Sequence, residues 1–343
     1  MGYTEKSILL VYNNTSGSGE SVDSAAEAAN ILFKKRHPFD LRQFTDITND
    51  PQYVNQFGAI CVYGGDGTFY TMADIVGKSE MKPPLVPIPT GTENVLSGTI
   101  HGPKVNPPHL LKKTIATLNG ETKALNRLQL QSGEYRLDES RPYNFYWLLT
   151  AGDSGLTHRT LGALDKRGPR RKLFKSTTVI REALRHVDIE STVKVTVFDE
   201  QGEIFDEFDA LEGSIVKRIP GKWSRVQVAP PGDREDQILT IGRGKTDYGS
   251  RRFIYSTFID TLAAATSANV PIYDPRKDRN RILTRLPINP GHTVVFSAVG
   301  EKPFQGTVTD SEVLKRGGRR IVIEPNAKGP VIEVFSVRNF NRA

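Results

Sequence analysis

The residues best suited to chemistry in this chain lie in glycine-containing turns. Asn13-Asn14-Thr15-Ser16-Gly17-Ser18-Gly19, Gly64-Gly65-Asp66-Gly67-Thr68 and Thr90-Gly91-Thr92-Glu93-Asn94 each follow an apolar run. Glycine lets a backbone come close to a ligand and aim its N–H groups at it, which suits a phosphate. A turn that opens a helix adds the positive end of the helix dipole. Neither the Gly-x-x-x-x-Gly-Lys-Ser/Thr loop nor the third glycine of the dinucleotide fingerprint after Gly17-x-Gly19 is present. Asp66 is the most informative residue. An anionic side chain beside phosphate is repulsive unless it coordinates Mg²⁺ or takes a proton. Its plainer role would be to cap the helix that follows.

Strands and helices must position these turns. Residues 7–12 (SILLVY) form a continuous apolar run, as expected of a strand covered on both faces. Val22, Ala25, Ala26, Ala29, Leu32 and Phe33 recur at helical spacing, Lys34-Lys35-Arg36 suit the negative end of that helix, and Pro38 closes it. Residues 41–45, 57–63 and 85–89 read as further strands, with a helix over 69–76. Alternating strands and helices imply right-handed βαβ units and a parallel sheet, whose carboxyl edge would gather the turns.

After about residue 122 the texture changes. Residues 127–130, 143–149, 191–198, 214–219, 225–229 and 237–241 are short β-branched or aromatic segments between turn residues, the pattern of an antiparallel sandwich or barrel. Residues 157–186 read as a basic, helical insert and 257–268 as a helix, and strand patterns resume at 293–297, 320–324 and 331–337.

Composition sets the outer limits. The 343 residues suit two domains at about 150 residues each, and a hydrophobic fraction of 37% excludes wholesale disorder. Lys plus Arg is 46 and Asp plus Glu is 39, a net charge of +7, which favours a phosphate-bearing partner: nucleotide, nucleic acid or an anionic lipid surface. No DNA or RNA reader motif accompanies the charge, so nucleic acid is not expected. Cys61 is the single cysteine; it cannot build a disulfide framework or a cysteine zinc site, and its apolar run suggests a buried thiol. His158, His186 and His292 show no metal-binding spacing. The first residues enter a strand-like stretch with no apolar leader, so a cytoplasmic protein, peripheral at the membrane when bound to it, is expected.

These blocks resemble, in order, the diacylglycerol kinase and lipid kinase catalytic family, which is akin to the sphingosine and NAD kinases. Gly64-Gly65-Asp66-Gly67-Thr68 is similar to its G-G-D-G-T. Asn13-Asn14-Thr15-Ser16-Gly17 is similar to N-P-x-S-G, and Pro89-Thr90-Gly91-Thr92-Glu93-Asn94 to P-x-G-T-x-N. Ala229-Pro230 through Asp236-Gln237-Ile238-Leu239 resembles A-P…D-D-G-x-L, and Val308-Thr309-Asp310-Ser311-Glu312 falls where the family has V-D-G-E.

The resemblance implies a two-domain kinase with a cleft between the domains. An α/β N-terminal domain with a mostly parallel sheet (1–122, completed by about 319–343) would bind nucleotide, and a mainly antiparallel β-sandwich domain (123–318) would bind the lipid substrate. ATP would lie over Asn13, Ser16, Gly17, Thr45, Gly65, Asp66, Gly67, Thr68, Thr92 and Asn94. Asp310 would be the base, with Glu312 beside it and Asp66 serving the reaction at the phosphates. Asp233, Asp236 and the Ile238 carbonyl resemble a structural Mg²⁺ site.

Implied partners are ATP with Mg²⁺, a lipid alcohol such as diacylglycerol, a transient anionic membrane surface contacted by the Lys166–Lys175 cluster, and a second copy in a homodimer. The chain departs from the family at Phe69-Tyr70-Thr71, where L-N-E is usual, and at Ser311, where glycine is usual. A kinase of a soluble acceptor such as NAD, or a catalytically impaired nucleotide-binding protein, are the alternatives.

Overall fold

The computed structural model describes residues 7–16, 20–91, 97, 100–101, 106–121, 125–136, 142–147, 150–155, 193–210, 212–216, 236–241, 283–288, 292–298, 306–307 and 320–336. The chain divides into two compact units: residues 1–130, 146–148 and 328–343, and residues 131–145 and 149–327.

In the first unit, strands and helices alternate: β1 (Ile8–Tyr12), α1 (Glu20–Lys34), β2 (Phe39–Gln43), α2 (Phe44–Asn49), a 3₁₀ turn (Pro51–Gln56), β3 (Ala59–Gly64), α3 (Asp66–Lys78), β4 (Leu85–Pro89) and α4 (Pro107–Leu118). The strands run parallel in the order β2-β1-β3-β4. Every residue of β3 and the first four of β1 are buried, because helices cover both faces of the sheet. Ile8, Leu10, Cys61, Tyr63, Val86 and Ile88 share one face, and Ala25, Ala28 and Leu32 of α1 and Leu110, Leu111 and Ile115 of α4 close over it. Strand alternation turns Leu9, Val11, Ile60 and Val62 to the other face.

The second unit is antiparallel among the described residues. Its strands include β7 (Thr150–Gly155), β8 (Val193–Phe198), β9 (Ile204–Ala210), β10 (Glu212–Val216), β11 (Asp236–Ile241), β12 (Leu283–Ile288), β13 (Thr293–Ala298), β14 (Gly306–Thr307) and the start of β15 (Arg320–Phe335), following β5 (Leu125–Arg136) and β6 (Pro142–Trp147). One sheet runs β12-β11-β10-β7-β14, and in another β13 pairs with both β8 and β15. The two-part α/β and antiparallel-β class expected from the sequence is the class observed.

Several local expectations are corrected. Residues 320–324 and 331–337 read as two strands, yet β15 is continuous across Pro325 and Pro330. Its first residues pair with β13 in the second unit, and Val334 pairs with Leu85 of β4 in the first. The helix after Gly65 starts three residues earlier than expected and runs to Lys78. α1 buries Ser21, Ala25, Ala28 and Leu32, leaving Phe33 75% exposed. The expected inserts at 157–186 and 257–268 and the strand at 225–229 lie outside the described residues.

Candidate functional site

The parallel strands end together. Gln43 stands beside Tyr12, Tyr12 beside Tyr63, and Gly64 beside Pro89, so the turns after β1, β3 and β4 leave from one sheet edge. Asn13 organises the first turn. Its N–H donates to the Tyr63 carbonyl at 3.0 Å, extending the β1–β3 pairing by one bond. Its own carbonyl accepts from the Ser16 N–H at 3.0 Å and the Ser21 hydroxyl at 2.6 Å. The side-chain Oδ1 accepts from the Thr15 N–H (3.0 Å) and hydroxyl (2.7 Å), while Nδ2 donates to Thr68 Oγ1 at 2.8 Å. An amide, carrying both donors and acceptor lone pairs, suits this position; a carboxylate would lose the donor to Thr68.

The second turn is built on close approach. A β-carbon on Gly64 would stand 2.7 Å from Thr68 Cβ and Oγ1, so only glycine lets the strand end meet the first turn of α3. A β-carbon on Gly65 would lie 3.4 Å from Ser16 Oγ and 3.6 Å from Gly91 Cα. Gly65 therefore joins the first turn to the third. It is also the N-cap of α3, in an extended conformation, and supplies no side-chain cap. The first N–H groups of a helix have no partner within it, and at the opening of α3 no side-chain cap from Gly65 takes one. A β-carbon on Gly67 would meet nothing within 4 Å, so open space lies beside that backbone.

Two of the departures from the family have local roles, while Ser311 lies outside the described residues. Phe69 is buried, and Thr71 turns its hydroxyl back to the Gly67 carbonyl at 3.2 Å, so both serve the helix and its packing. Thr45 is not at the end of a strand as expected. It lies exposed in the first turn of α2, because β2 ends at Gln43. The thiol and phenol beneath the edge are uncharged: burial pushes Cys61 up to about 12, and burial, with Cys61 and Glu27 nearby, pushes Tyr63 well above its usual value.

Asn13, Ser16, Gly65, Thr68 and Gly91 are thus brought together at the carboxyl edge. Asp66 opens α3, and Asp236 and Ile238 lie on β11, opposite Ile288 and Leu286 of β12. Gly17, Thr92, Asn94, Asp233, Asp310 and Glu312 lie outside the described residues. Among the described residues, no group of three or more His, Cys, Asp or Glu side chains could hold a metal ion by itself. Sequence reasoning missed Ser21, whose hydroxyl fixes the Asn13 carbonyl, and the buried Ser97 and His101 behind the third turn. The four-residue spacing of Ser97 and His101 was the available signal.

Comparison with known proteins agrees with this geometry. Residues 7–128 match the family model of the diacylglycerol kinase catalytic domain, as the motifs implied. The match covers the first part of the chain, the segment that carries the three turns. No curated protein matches the sequence. Among solved structures, the chain is similar to a diacylglycerol kinase from Bacillus anthracis str. Sterne, at 16% identity over 97% of each chain and a TM-score of 0.54. It is also similar to yeast NADH kinase complexed with NADH, at 10% identity over 97% of this chain and 84% of that one, with a TM-score of 0.53. At these identities the likeness is one of fold.

Proposed function

We propose that the protein is an ATP- and Mg²⁺-dependent lipid kinase, transferring the γ-phosphate to the hydroxyl of diacylglycerol or a related lipid alcohol. One observation carries the reading: Gly65 packs so near Ser16 and Gly91 that a β-carbon there would meet both, at the head of a helix with no side-chain cap, within a segment that matches the diacylglycerol kinase catalytic domain. Phosphoryl transfer depends on positioning and charge neutralisation more than on covalent chemistry. In this reading the backbone around Ser16, Gly17, Gly65, Gly67 and Thr68 holds the phosphates, with Thr45, Thr92 and Asn94 at the nucleotide.

Mg²⁺ usually binds through one or two carboxylates together with substrate phosphates rather than in an all-protein cage. Asp66, at the opening of α3, is the carboxylate assigned to that mode here. Bound there, the ion would neutralise charge on the β- and γ-phosphates. Asp233, Asp236 and the Ile238 carbonyl are assigned to a second, structural Mg²⁺. Asp310 takes the acceptor hydroxyl's proton, with Glu312 orienting it. The basic cluster from Lys166 to Lys175 rests on an anionic membrane, at about 1 kcal/mol for each basic residue near the surface. Co-sedimentation with anionic vesicles at low salt checks that assignment.

The deciding experiment supplies γ-labelled ATP and a total lipid extract and counts the lipid and water phases separately. Label in the lipid phase is the expected result. Label held by a soluble acceptor would instead support the NAD-type reading, which the likeness in fold to NADH kinase favours. ATP binding without any transfer would make the protein a nucleotide-binding relative. Asp310→Asn should abolish transfer while calorimetry still detects ATP; full activity in that variant removes Asp310 as the base.

A further inference from the structure

We infer that Ser97, His101 and Ser336 form a buried clamp that holds the helical residues from Ser97 to His101 against the ends of β4 and β15, so that nucleotide binding depends on side chains behind the site. This rests on reading the sheet edge as a nucleotide site.

β4 pairs with β3 along its whole length, but its described pairing with β15 is confined to Leu85 and Val334. β15 ends one residue past Val334, at Phe335, and there the helical residues Ser97, Ile100 and His101 bond to the two chain segments. Two residues past Leu85, the Pro87 carbonyl accepts the Ser97 hydroxyl at 3.2 Å and lies 2.9 Å from His101 Nε2. Two residues past Val334, the Ser336 hydroxyl donates to the Ile100 carbonyl at 2.6 Å. A residue's N–H and C=O point to the same side of a strand, so the N–H that Pro87 lacks falls where strand pairing has already stopped. That explains how proline is accommodated in an interior strand.

Ser97, Ile100, His101 and Ser336 are each 5% exposed or less. Water does not readily replace bonds at such buried positions, so the loss of one is felt as the loss of a hydrogen bond. The carbonyl acceptor assigns the proton of His101 to Nε2. The clamped residues follow directly on the 90–96 connection, which begins with Thr90 and with Gly91 against Gly65. Fixing Ser97 and His101 to β4, and Ile100 to the end of β15, therefore holds Ser97, the next described residue after Gly91, to the same strands that carry the sheet edge. These are positioning residues; none is placed at the nucleotide.

Two measurements test this. The first is amide hydrogen exchange of the 90–96 peptide without nucleotide. Exchange should rise about tenfold in His101→Leu and in Ser336→Ala, the cost of about one buried hydrogen bond. It should stay at the wild-type rate in Ser79→Ala, a buried hydroxyl on α3's C-terminal side. The second is calorimetry with Mg-ATP. Affinity should fall about tenfold in the same two variants. His101→Gln, which returns an amide N–H near the Nε2 position, should recover most of it. Where transfer is measurable, the loss should fall on KM for ATP rather than on kcat.

Wild-type exchange in both clamp variants would overturn the clamp whether or not ATP binds. Wild-type protein that binds no ATP would overturn the nucleotide reading while leaving the exchange result to stand on its own. If His101→Leu fails to fold, Ser336→Ala decides, because it leaves both bonds to Pro87 intact.

Discussion

At the scale of single residues, the site depends on atoms that are absent as much as on atoms present. Gly64 has no side chain because Thr68 occupies that space, with 2.7 Å between a would-be β-carbon and Thr68 Oγ1. Gly64→Ala must push α3 away from the strand end, and overpacking of this kind costs about 1–3 kcal/mol. Urea denaturation should show a lower midpoint at unchanged slope, and ATP affinity should fall with it. His101 gives a second prediction. Burial lowers its imidazole from the ordinary 6.5 to about 4, with the Pro87 carbonyl opposing in part. The unfolded chain therefore binds the proton more readily than the folded one. The stabilising effect is present in full above pH 6.5 and is lost progressively as pH falls toward 4, on the order of 3 kcal/mol in total. His101→Gln should flatten that acid limb in stability curves taken from pH 7 down to 4.5; an unchanged limb would show that other groups cause it.

At the scale of elements, what the sequence revealed followed from how unambiguous each pattern was. β1, β3 and β4 were legible because strands buried on both faces are continuous apolar runs that stop at glycine turns. α1 was legible as a helix but not in its orientation. Its alanines support two neighbouring stripes, and the chosen one included Val22 and Phe33, which are exposed. The buried stripe starts at Ser21, whose polar side chain belongs inside only because it bonds the Asn13 carbonyl. Leu32→Ala should therefore cost about 2–5 kcal/mol, while Phe33→Ala stays within about 0.5 kcal/mol, as thermal unfolding can check. α4 was missed because Pro107 and Pro108 look like helix breakers; in the structure they occupy its first turn, where a missing N–H costs nothing. β15 was divided at Pro325 and Gly329-Pro330 for the same reason. The turns at the sheet edge could be read from residue types, whereas the carbonyls they bond to could not, since backbone partners leave no trace in the sequence.

At the scale of the whole molecule, the first unit is discontinuous in sequence. Residues 328–343 belong with 1–130, and Ile332, Val334 and Phe335 are buried there. A chain cut after residue 327 should lose that strand end and the Ser336 bond, uncovering β4 beyond β3. Limited proteolysis should then cleave the first unit faster, and adding back a peptide of residues 328–343 should restore protection. Equal resistance of the cut and intact chains would show that β4 needs no such neighbour. The arrangement also has a consequence in time. A ribosome releases residue 130 some 200 residues before residue 336, which at about 5–20 residues per second is a delay of roughly 10–40 s. Throughout that interval the nascent first unit carries an unfilled place in its sheet. Its completion is thereby coupled to the end of synthesis, and a chain interrupted midway cannot assemble the third turn's support.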